Sequence, residues 1–245
     1  MKLDILAFGA HPDDIELGAS GTLVKAVREG LKVGLVDLTQ GELGTNGTIE
    51  TRKIEATKAL ELMGASFRMN LGLRDGFFLI DENSIYSVAK LIRKFRPRII
   101  LANSVQDRHP DHGRAADLVE KSCFYSGLSK FEIYDEDGVK LERWRPERVL
   151  HYVQDYYAIP DVVVDISKDF DKKLELIKCF ETQFINLSGT EETLTPINRH
   201  DFLQFVESRA REYGRSIHSD FGEGFISLTP IKIESLSCLL GPKVF

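Results

Sequence analysis

The sequence predicts an α/β fold built on a doubly wound, mostly parallel β-sheet with helices on both faces. Short apolar runs alternate with amphipathic segments at helical spacing along the first half of the 245 residues. The apolar runs are nearly continuous, as in strands that are buried on both faces. Glycine or proline stands where most of the helical segments end. A chain of this length can bury one large core.

The elements of the first half are predicted from these patterns in chain order. Residues 3–9 form the first strand and residues 15–29 the first helix. The glycine-rich segment 39–48, with its Asn46-Gly47 turn signal, is predicted as a loop. The other strands of this half are predicted at residues 32–38, 67–71 and 98–102. The other helices are predicted at residues 50–63, 84–95 and 113–125.

The second half is less regular, and we expect an irregular C-terminal part. A charged connection spans residues 129–145. Strands are predicted at residues 149–153 and 162–166, helices at 170–184 and 201–213, and a candidate final strand pair at 225–228 and 231–233. The sequence contains no internal repeat, low-complexity tract or linker that would separate a second domain.

Composition and charge exclude several classes of function. The net charge of −6 disfavours a nucleic-acid or anionic-membrane partner, because both require a basic face. Cys123, Cys179 and Cys238 are odd in number and form no CxxC pair, which indicates buried thiols in a reducing, cytoplasmic compartment. The first apolar stretch contains Asp4 and is not expected to be a signal peptide. No apolar run approaches the roughly 18 residues of a membrane span.

Two short polar segments follow predicted strands and carry the chemistry. His11-Pro12-Asp13-Asp14 follows the first strand, and His109-Pro110-Asp111-His112 follows the fourth. In the doubly wound strand order 3-2-1-4-5, strands one and four are neighbours, and ligands bind at their carboxyl ends. The topology therefore predicts that three histidines and three carboxylates meet at one edge of the sheet.

These residue types suit a hydrolytic metal site. Such a site needs about three protein ligands and an open position for water. His11 and Asp14 are three residues apart in a tight turn, so both side chains can face one point. A histidine of the second segment, His109 or His112, completes a set of two histidines and one carboxylate.

The remaining polar groups are candidates for proton transfer. Asp13, next to a ligand, suits a general base on water, although it could instead only cap the following helix. A histidine that does not bind the metal can stabilise an oxyanion and protonate a leaving amine, and Asp111 can orient it. His151, His200 and His218 stand alone and are expected to be ordinary structural or surface residues.

A nucleotide-binding protein of Rossmann-like shape is the rival prediction for this topology. A dinucleotide site requires GxGxxG after the first strand. Here that turn is Gly9-Ala10-His11-Pro12-Asp13-Asp14, and its two carboxylates would repel a pyrophosphate. A non-catalytic nucleotide- or metal-binding module remains the alternative from another functional class.

With these two segments, the chain resembles the PIG-L/LmbE-type deacetylases, zinc enzymes that remove N-acetyl groups from glucosamine conjugates. The resemblance covers essentially the whole chain and implies one deacetylase domain over residues 1–245. It implies that His11, Asp14 and His112 hold Zn²⁺, although two histidines and a carboxylate also suit Fe²⁺.

The resemblance also implies the roles of the other site residues. Asp13 is expected to be the general base, His109 to assist the tetrahedral intermediate in its protonated form, and Asp111 to orient His109. The expected partner is a small-molecule sugar conjugate, with no nucleic acid and no membrane, and the expected assembly is a homo-oligomer.

Within this family, the chain is most similar to the bacillithiol-biosynthesis branch, which deacetylates N-acetylglucosaminyl L-malate. The similarity lies in Arg52 and in residues 37–39, 41–48, 106–108, 183–184 and 223–225. An arginine is a bidentate partner for a malate carboxylate, and Arg52 and Arg108 are the candidates. The alternative is a deacetylase of another sugar, such as a chito-oligosaccharide or a mercapturic-type conjugate.

Overall fold

The structure is a computed structural model that describes residues 1–184 and 193–239. The strands are β1 (Ile5–Gly9), β2 (Val33–Thr39), β3 (Phe67–Leu73), β4 (Ile99–Ala102), β5 (Arg148–Tyr152), β6 (Val162–Asp165) and β7 (Gly222–Ile226). The helices are α1 (Asp14–Arg28), α2 (Ile49–Met63), α3 (Glu82–Phe95), α4 (Pro110–Ser126), α5 (Phe170–Lys178), α6 (Glu181–Phe184) and α7 (Phe202–Ser216).

The seven strands form one sheet in the order β3-β2-β1-β4-β5-β7-β6. The strands β1 to β5 pair in parallel, and β7 runs antiparallel to both of its neighbours. The predicted α/β fold with a doubly wound, mostly parallel sheet is therefore confirmed. The order also makes β1 and β4 neighbours, as the argument about the two polar segments requires.

Both faces of the sheet are covered, as a parallel sheet requires. Every residue of β1 and β2 is buried. Because side chains alternate along a strand, Ile5 and Ala7 enter one apolar core while Leu6 and Phe8 enter the other. The first core packs against α1, α2, α5 and α7, and the second packs against α3 and α4.

The start of α4 differs from the prediction. The helix begins at Pro110 instead of Gly113, so that the second polar segment lies largely within its first turn. Proline is well suited to the first helical position, because its fixed φ fits the helix and its missing N–H would be unsatisfied there anyway. His109 occupies the cap position and accepts a hydrogen bond from the Asp111 N–H.

Two further predictions in the second half are wrong. The helix predicted over residues 170–184 is two helices, because turn-type hydrogen bonds at Cys179 and Phe180 interrupt it. Residues 225–228 and 231–233 do not pair, and the single strand β7 lies between β5 and β6. A Cβ atom at Gly224 would lie 2.8 Å from the Tyr213 ring, so this glycine lets α7 approach the strand.

Two observations concern the predictions about membrane spans and cysteines. Within residues 1–184 and 193–239, no helix is both long and apolar enough to cross a membrane. Cys123 and Cys179 are buried free thiols, as predicted. The side chain of Cys238 lies outside the described part of the structure.

Candidate metal centre

The first polar segment forms a tight turn between β1 and α1. Its residues His11, Asp13 and Asp14 are all buried. Asp13 has a φ of +133°, in a region that favours glycine. A non-glycine residue held in this region stores roughly 1–3 kcal/mol of backbone strain. The turn directs the Asp14 carboxylate back, where it accepts the His11 N–H at 2.9 Å. Three buried polar side chains are thereby held at the end of one strand.

Carboxylates surround the His11 ring. Its Nδ1 lies 3.4 Å from Asp14 Oδ2, and its Nε2 lies 3.0 Å from Asp75 Oδ1 and 3.6 Å from Asp111 Oδ2. Burial would lower the pKa of His11, but hydrogen bonds to Asp111, Asp14 and Asp75 raise it well above its usual value. Three buried carboxylates around one ring are unfavourable unless a positive charge, on His11 or on a bound metal ion, compensates them.

His112 faces Asp14 from the second segment. Its Nε2 lies 3.2 Å from Asp14 Oδ1, and its Nδ1 donates to Asp107 Oδ2 at 2.8 Å. A hydrogen bond to a carboxylate at one ring nitrogen fixes the histidine and leaves the other nitrogen available to a metal. Burial would raise the pKa of Asp14, but the nearby His112 and His11 hold it well below its usual value, so this carboxyl is ionised.

The donor set fits a divalent metal. Donor atoms of His11, His109 and His112 lie within 4.8 Å of one another, and so do those of His11, Asp75 and Asp111. Asp14 is close to both His11 and His112. The predicted ligands His11, Asp14 and His112 therefore lie around one point, and His109 and Asp75 are further candidates there. Imidazole and carboxylate groups suit Zn²⁺ and Fe²⁺ alike.

Asp13 forms an ion pair with Arg52, the residue that the sequence suggested as a partner for a substrate carboxylate. Arg52 Nη2 donates to Asp13 Oδ2 at 2.8 Å and to Pro12 O at 3.2 Å, and its Nη1 donates to Gly41 O at 3.2 Å. Burial raises the pKa of Asp13 to about 7, although the Arg52 charge opposes the rise. The Asp13 side chain makes no cap hydrogen bond to α1, so the capping alternative finds no support.

His109 and Asp111 are arranged differently from the expectation. Burial, then His11 and His112, lower the pKa of His109 to about 4, so its ring is neutral instead of protonated. Its Nδ1 accepts the Asp111 N–H at 3.2 Å, which places the ring proton on Nε2. The Asp111 carboxylate accepts from Gly76 N at 2.7 Å and from Arg114. Asp111 therefore contacts His109 through its backbone, and the expected orientation by its carboxylate is not observed.

The other residues singled out from sequence have clear positions. Arg108 pairs with Asp155 at the rim of the site. His151 is buried in β5, where its Nδ1 lies 2.8 Å from Asn103 O, and His200 and His218 are exposed. The expectation of structural or surface roles for these three histidines agrees with their positions.

Sequence reasoning missed several polar residues that hold the site. Asn103 donates to Asp14 Oδ2 at 3.0 Å, and Gln154 donates to Asp14 Oδ1 at 2.5 Å. Asp75 accepts from His11, while Asp107 accepts from His112. These four residues each lie within a few positions of the carboxyl end of β3, β4 or β5. Because ligand sites form at these strand ends, their position would have identified them as candidates.

A cavity of about 300 Å³ contains the candidate metal centre, and its lining includes His11, Asp14 and His112. One wall consists of the two polar segments, and another is the glycine-rich loop around Leu43–Thr45. Thr195, Pro196 and Ile197 form part of the rim. Asn46 connects the glycine-rich loop to the segment that precedes this rim and to α6, because its side chain donates to Thr193 O and its carbonyl accepts from Gln183.

The chain matches a known protein family and a solved structure. Residues 6–123 match the family described as PIG-L, GlcNAc-PI de-N-acetylase. The chain is 32% identical to the solved structure of the conserved protein TT1542 from Thermus thermophilus, with a TM-score of 0.81, covering 94% of this chain and 97% of that one.

Of three curated relatives, two are named as deacetylases of different substrates and one as a hydratase. Diacetylchitobiose deacetylase of Thermococcus kodakarensis is 28% identical over 74% of this chain and 70% of its own length. Probable N-acetyl-alpha-D-glucosaminyl L-malate deacetylase 2 of Bacillus cereus is 29% identical over 75% of this chain and 84% of its own length. 4-oxalmesaconate hydratase of Pseudomonas putida is 25% identical over 73% of each chain.

Proposed function

Because the chain belongs to the PIG-L family, we propose that it is a metal-dependent deacetylase that hydrolyses the N-acetyl group of an N-acetylglucosamine conjugate. The observation that carries the proposal is the convergence of His11, Asp14 and His112 on one point of a cavity that Asp13 and His109 also line. Cavities of this size accept a small ligand such as one sugar unit.

Zinc is the proposed metal, with Fe²⁺ as the alternative in vivo. His11, Asp14 and His112 would hold it, with Asp107, Asn103 and Gln154 fixing two of these three side chains. When bound, a divalent ion would polarise the acetyl carbonyl and lower the pKa of water.

The protein side chains have separate roles in the proposed reaction. Asp13 takes the proton from the attacking water, and Arg52 holds the Asp13 carboxylate in place. His109 donates from Nε2 to the developing oxyanion, because its Nδ1 is occupied by the Asp111 N–H. The proton held by Asp13 then passes to the leaving amine, and the products are acetate and a glucosaminyl conjugate.

The finer proposal is that the conjugate is N-acetylglucosaminyl L-malate. The Bacillus cereus relative named for that substrate supports it, as does the presence of arginines around the cavity. The Thermococcus kodakarensis relative supports diacetylchitobiose at nearly the same identity, which makes that sugar the competing substrate.

Acetate release from a small panel tests both levels of the proposal. The panel consists of N-acetylglucosaminyl L-malate, diacetylchitobiose and methyl N-acetylglucosaminide, assayed on protein whose metal content has been measured. We expect acetate from the panel, with the highest kcat/KM for the malate conjugate. The Asp13→Asn protein is the matched control for contaminating activity. Metal-loaded protein that releases no acetate from any of the three would refute the deacetylase assignment.

A further inference from the structure

A second cavity continues from the candidate metal centre toward α7. It shares five lining residues with the first cavity, namely Leu17, Arg108, His112, Gln154 and Ile197. Its far wall is largely apolar and is formed by Phe202, Val206, Ala210 and Tyr213. Its volume is about 50 Å³, so a substrate whose acetamide group lies at His112 can place a group of only a few atoms, such as a carboxylate, in this space.

Two of the three lysine and arginine side chains that line this second cavity form an ion pair with a carboxylate. Lys173 pairs with Glu223 at 2.5 Å, and Arg108 pairs with Asp155. Arg209 also lines the cavity, stacks on the Phe205 ring at 4.4 Å and donates to the backbone carbonyl of Asp155. Among the described residues, no carboxylate lies within 4.0 Å of its guanidinium. Arg209 is thus a half-buried cation without a direct ion pair, although Asp155 and Asp107 attract its charge from further away.

Arg52 cannot supply the same function as readily. Its two terminal nitrogens are occupied by Asp13, Pro12 and Gly41, and its unpaired Nε is fully buried, so a ligand carboxylate that binds the terminal nitrogens would have to displace the Asp13 carboxylate. Such a displacement would leave the buried Asp13 without its counter-charge, which is costly. Arg209, in contrast, can receive a carboxylate without breaking an existing ion pair.

We propose that Arg209, with Arg108 at the junction of the two cavities, forms a subsite for a carboxylate on the part of the substrate attached to N-acetylglucosamine. The inference rests on the proposed deacetylase function and specifies its substrate class, an anionic conjugate. The apolar wall of the cavity accommodates the carbon chain that carries the carboxylate. A planar guanidinium binds such a group through two parallel hydrogen bonds.

The test compares two arginines of the same helix. Arg209→Met keeps the apolar stem that packs on Phe205 and removes the charge. Arg211→Met is the matched control, because Arg211 also stacks on a phenylalanine, Phe221 at 4.5 Å, but is exposed and pairs with Glu207. The readout is the ratio of kcat/KM for N-acetylglucosaminyl L-malate to kcat/KM for methyl N-acetylglucosaminide, measured on metal-loaded protein.

We expect Arg209→Met to lower this ratio by about 10- to 100-fold, the usual size of one charge-assisted contact, chiefly through KM for the malate conjugate. Arg209→Lys should recover part of the ratio, and Arg211→Met should keep the wild-type ratio. An equal loss on both substrates in Arg209→Met would overturn the subsite, while the deacetylase function would stand.

A binding measurement separates failure of the subsite from failure of the proposed function. If wild-type protein releases no acetate from either sugar, the deacetylase function fails, and the subsite is then judged by titration with L-malate. Weaker L-malate binding in Arg209→Met than in wild type and Arg211→Met supports an anion subsite independently of catalysis. Equal L-malate binding by all three proteins overturns it.

Discussion

The two polar segments share the letters His-Pro-Asp but fold differently, and the difference lies in where the following helix begins. In the first segment α1 begins only at Asp14, so Asp13 stands before the helix with a φ of +133°. In the second, α4 begins at Pro110, so Asp111 lies inside the first turn. The third residue of each segment is an aspartate, but Asp13 lines the cavity, whereas the Asp111 carboxylate accepts from Gly76 and Arg114 and lies 3.6 Å from the His11 ring. Similar sequences thus give one candidate base and one carboxylate that is held beside His11 by a backbone N–H and an arginine.

The largest expected effect tests whether the two segments share one metal. His112→Ala should lose most of its bound metal and activity, because the His112 Nε2 faces Asp14 across the proposed site. Metal analysis and acetate release on the same sample measure both losses. His200→Ala, an exposed histidine far along the chain, is the control and should resemble wild type. Full metal occupancy in His112→Ala would contradict the shared site.

The next effect concerns the third residue of the first segment. Asp13→Asn keeps the size of the side chain and an oxygen for Arg52, but it cannot take a proton. We expect kcat to fall by roughly 10²–10⁴-fold with the metal retained, the usual contribution of a general base. Steady-state kinetics with metal analysis test this expectation. A variant with wild-type kcat would leave Asp13 with a structural role only, like Asp111.

A smaller effect is expected from the carboxylate that fixes His112. Asp107→Asn weakens the hydrogen bond to His112 Nδ1 and should reduce metal affinity by about 10- to 100-fold, as loss of such a support usually does. Competition with a metal chelator measures the change. Asp117→Asn, which removes an exposed carboxylate of α4, is the control. Unchanged affinity in Asp107→Asn would show that the helix alone orients His112.

The smallest effect on activity sharpens the contrast between the two aspartates. Asp111→Asn should lower the free energy of unfolding by about 1–3 kcal/mol, because the buried Asp111 carboxylate accepts from Gly76 and Arg114. Its effect on kcat should be well below that of Asp13→Asn. Urea unfolding measures the first quantity and acetate release the second. A loss in kcat as large as that of Asp13→Asn would make the two segments equivalent after all.

Much of the fold was predictable because the buried parallel strands carry unmistakable apolar runs. The strand order then placed the two polar segments together before any contact was known. The start of α4 lies three residues before the predicted one, because the apolar pattern of the helix begins only after the second polar segment, whereas Pro110 already suits its first position. The β7 strand was predicted at residues 225–228, three residues later than it begins, because Gly222 and Gly224 do not follow an apolar strand pattern, although Gly224 allows the close approach of α7.

The contacts within the site were harder to predict than its location. Arg52 was recognised from its place after a glycine-rich loop, but only the structure shows that it pairs with Asp13. Gln154 and Asn103 contact Asp14 across 140 and 89 residues of sequence, and such pairings follow from tertiary packing instead of local pattern. The charge state of His109 likewise depends on burial and on neighbours that are distant in sequence.

The hydrogen bond between Gln154 and Asp14 has a consequence for folding during synthesis. All three proposed ligands lie within the first 112 residues and leave the ribosome early, together with Asn103. Gln154 follows β5, so the Asp14 carboxylate acquires its final hydrogen bond only after that strand has been synthesised and has paired with β4. A nascent chain that ends before β5 thus carries every proposed ligand, but its Asp14 is less firmly fixed. If these side chains hold a metal, we expect it to be bound tightly only after the second half of the chain has been translated.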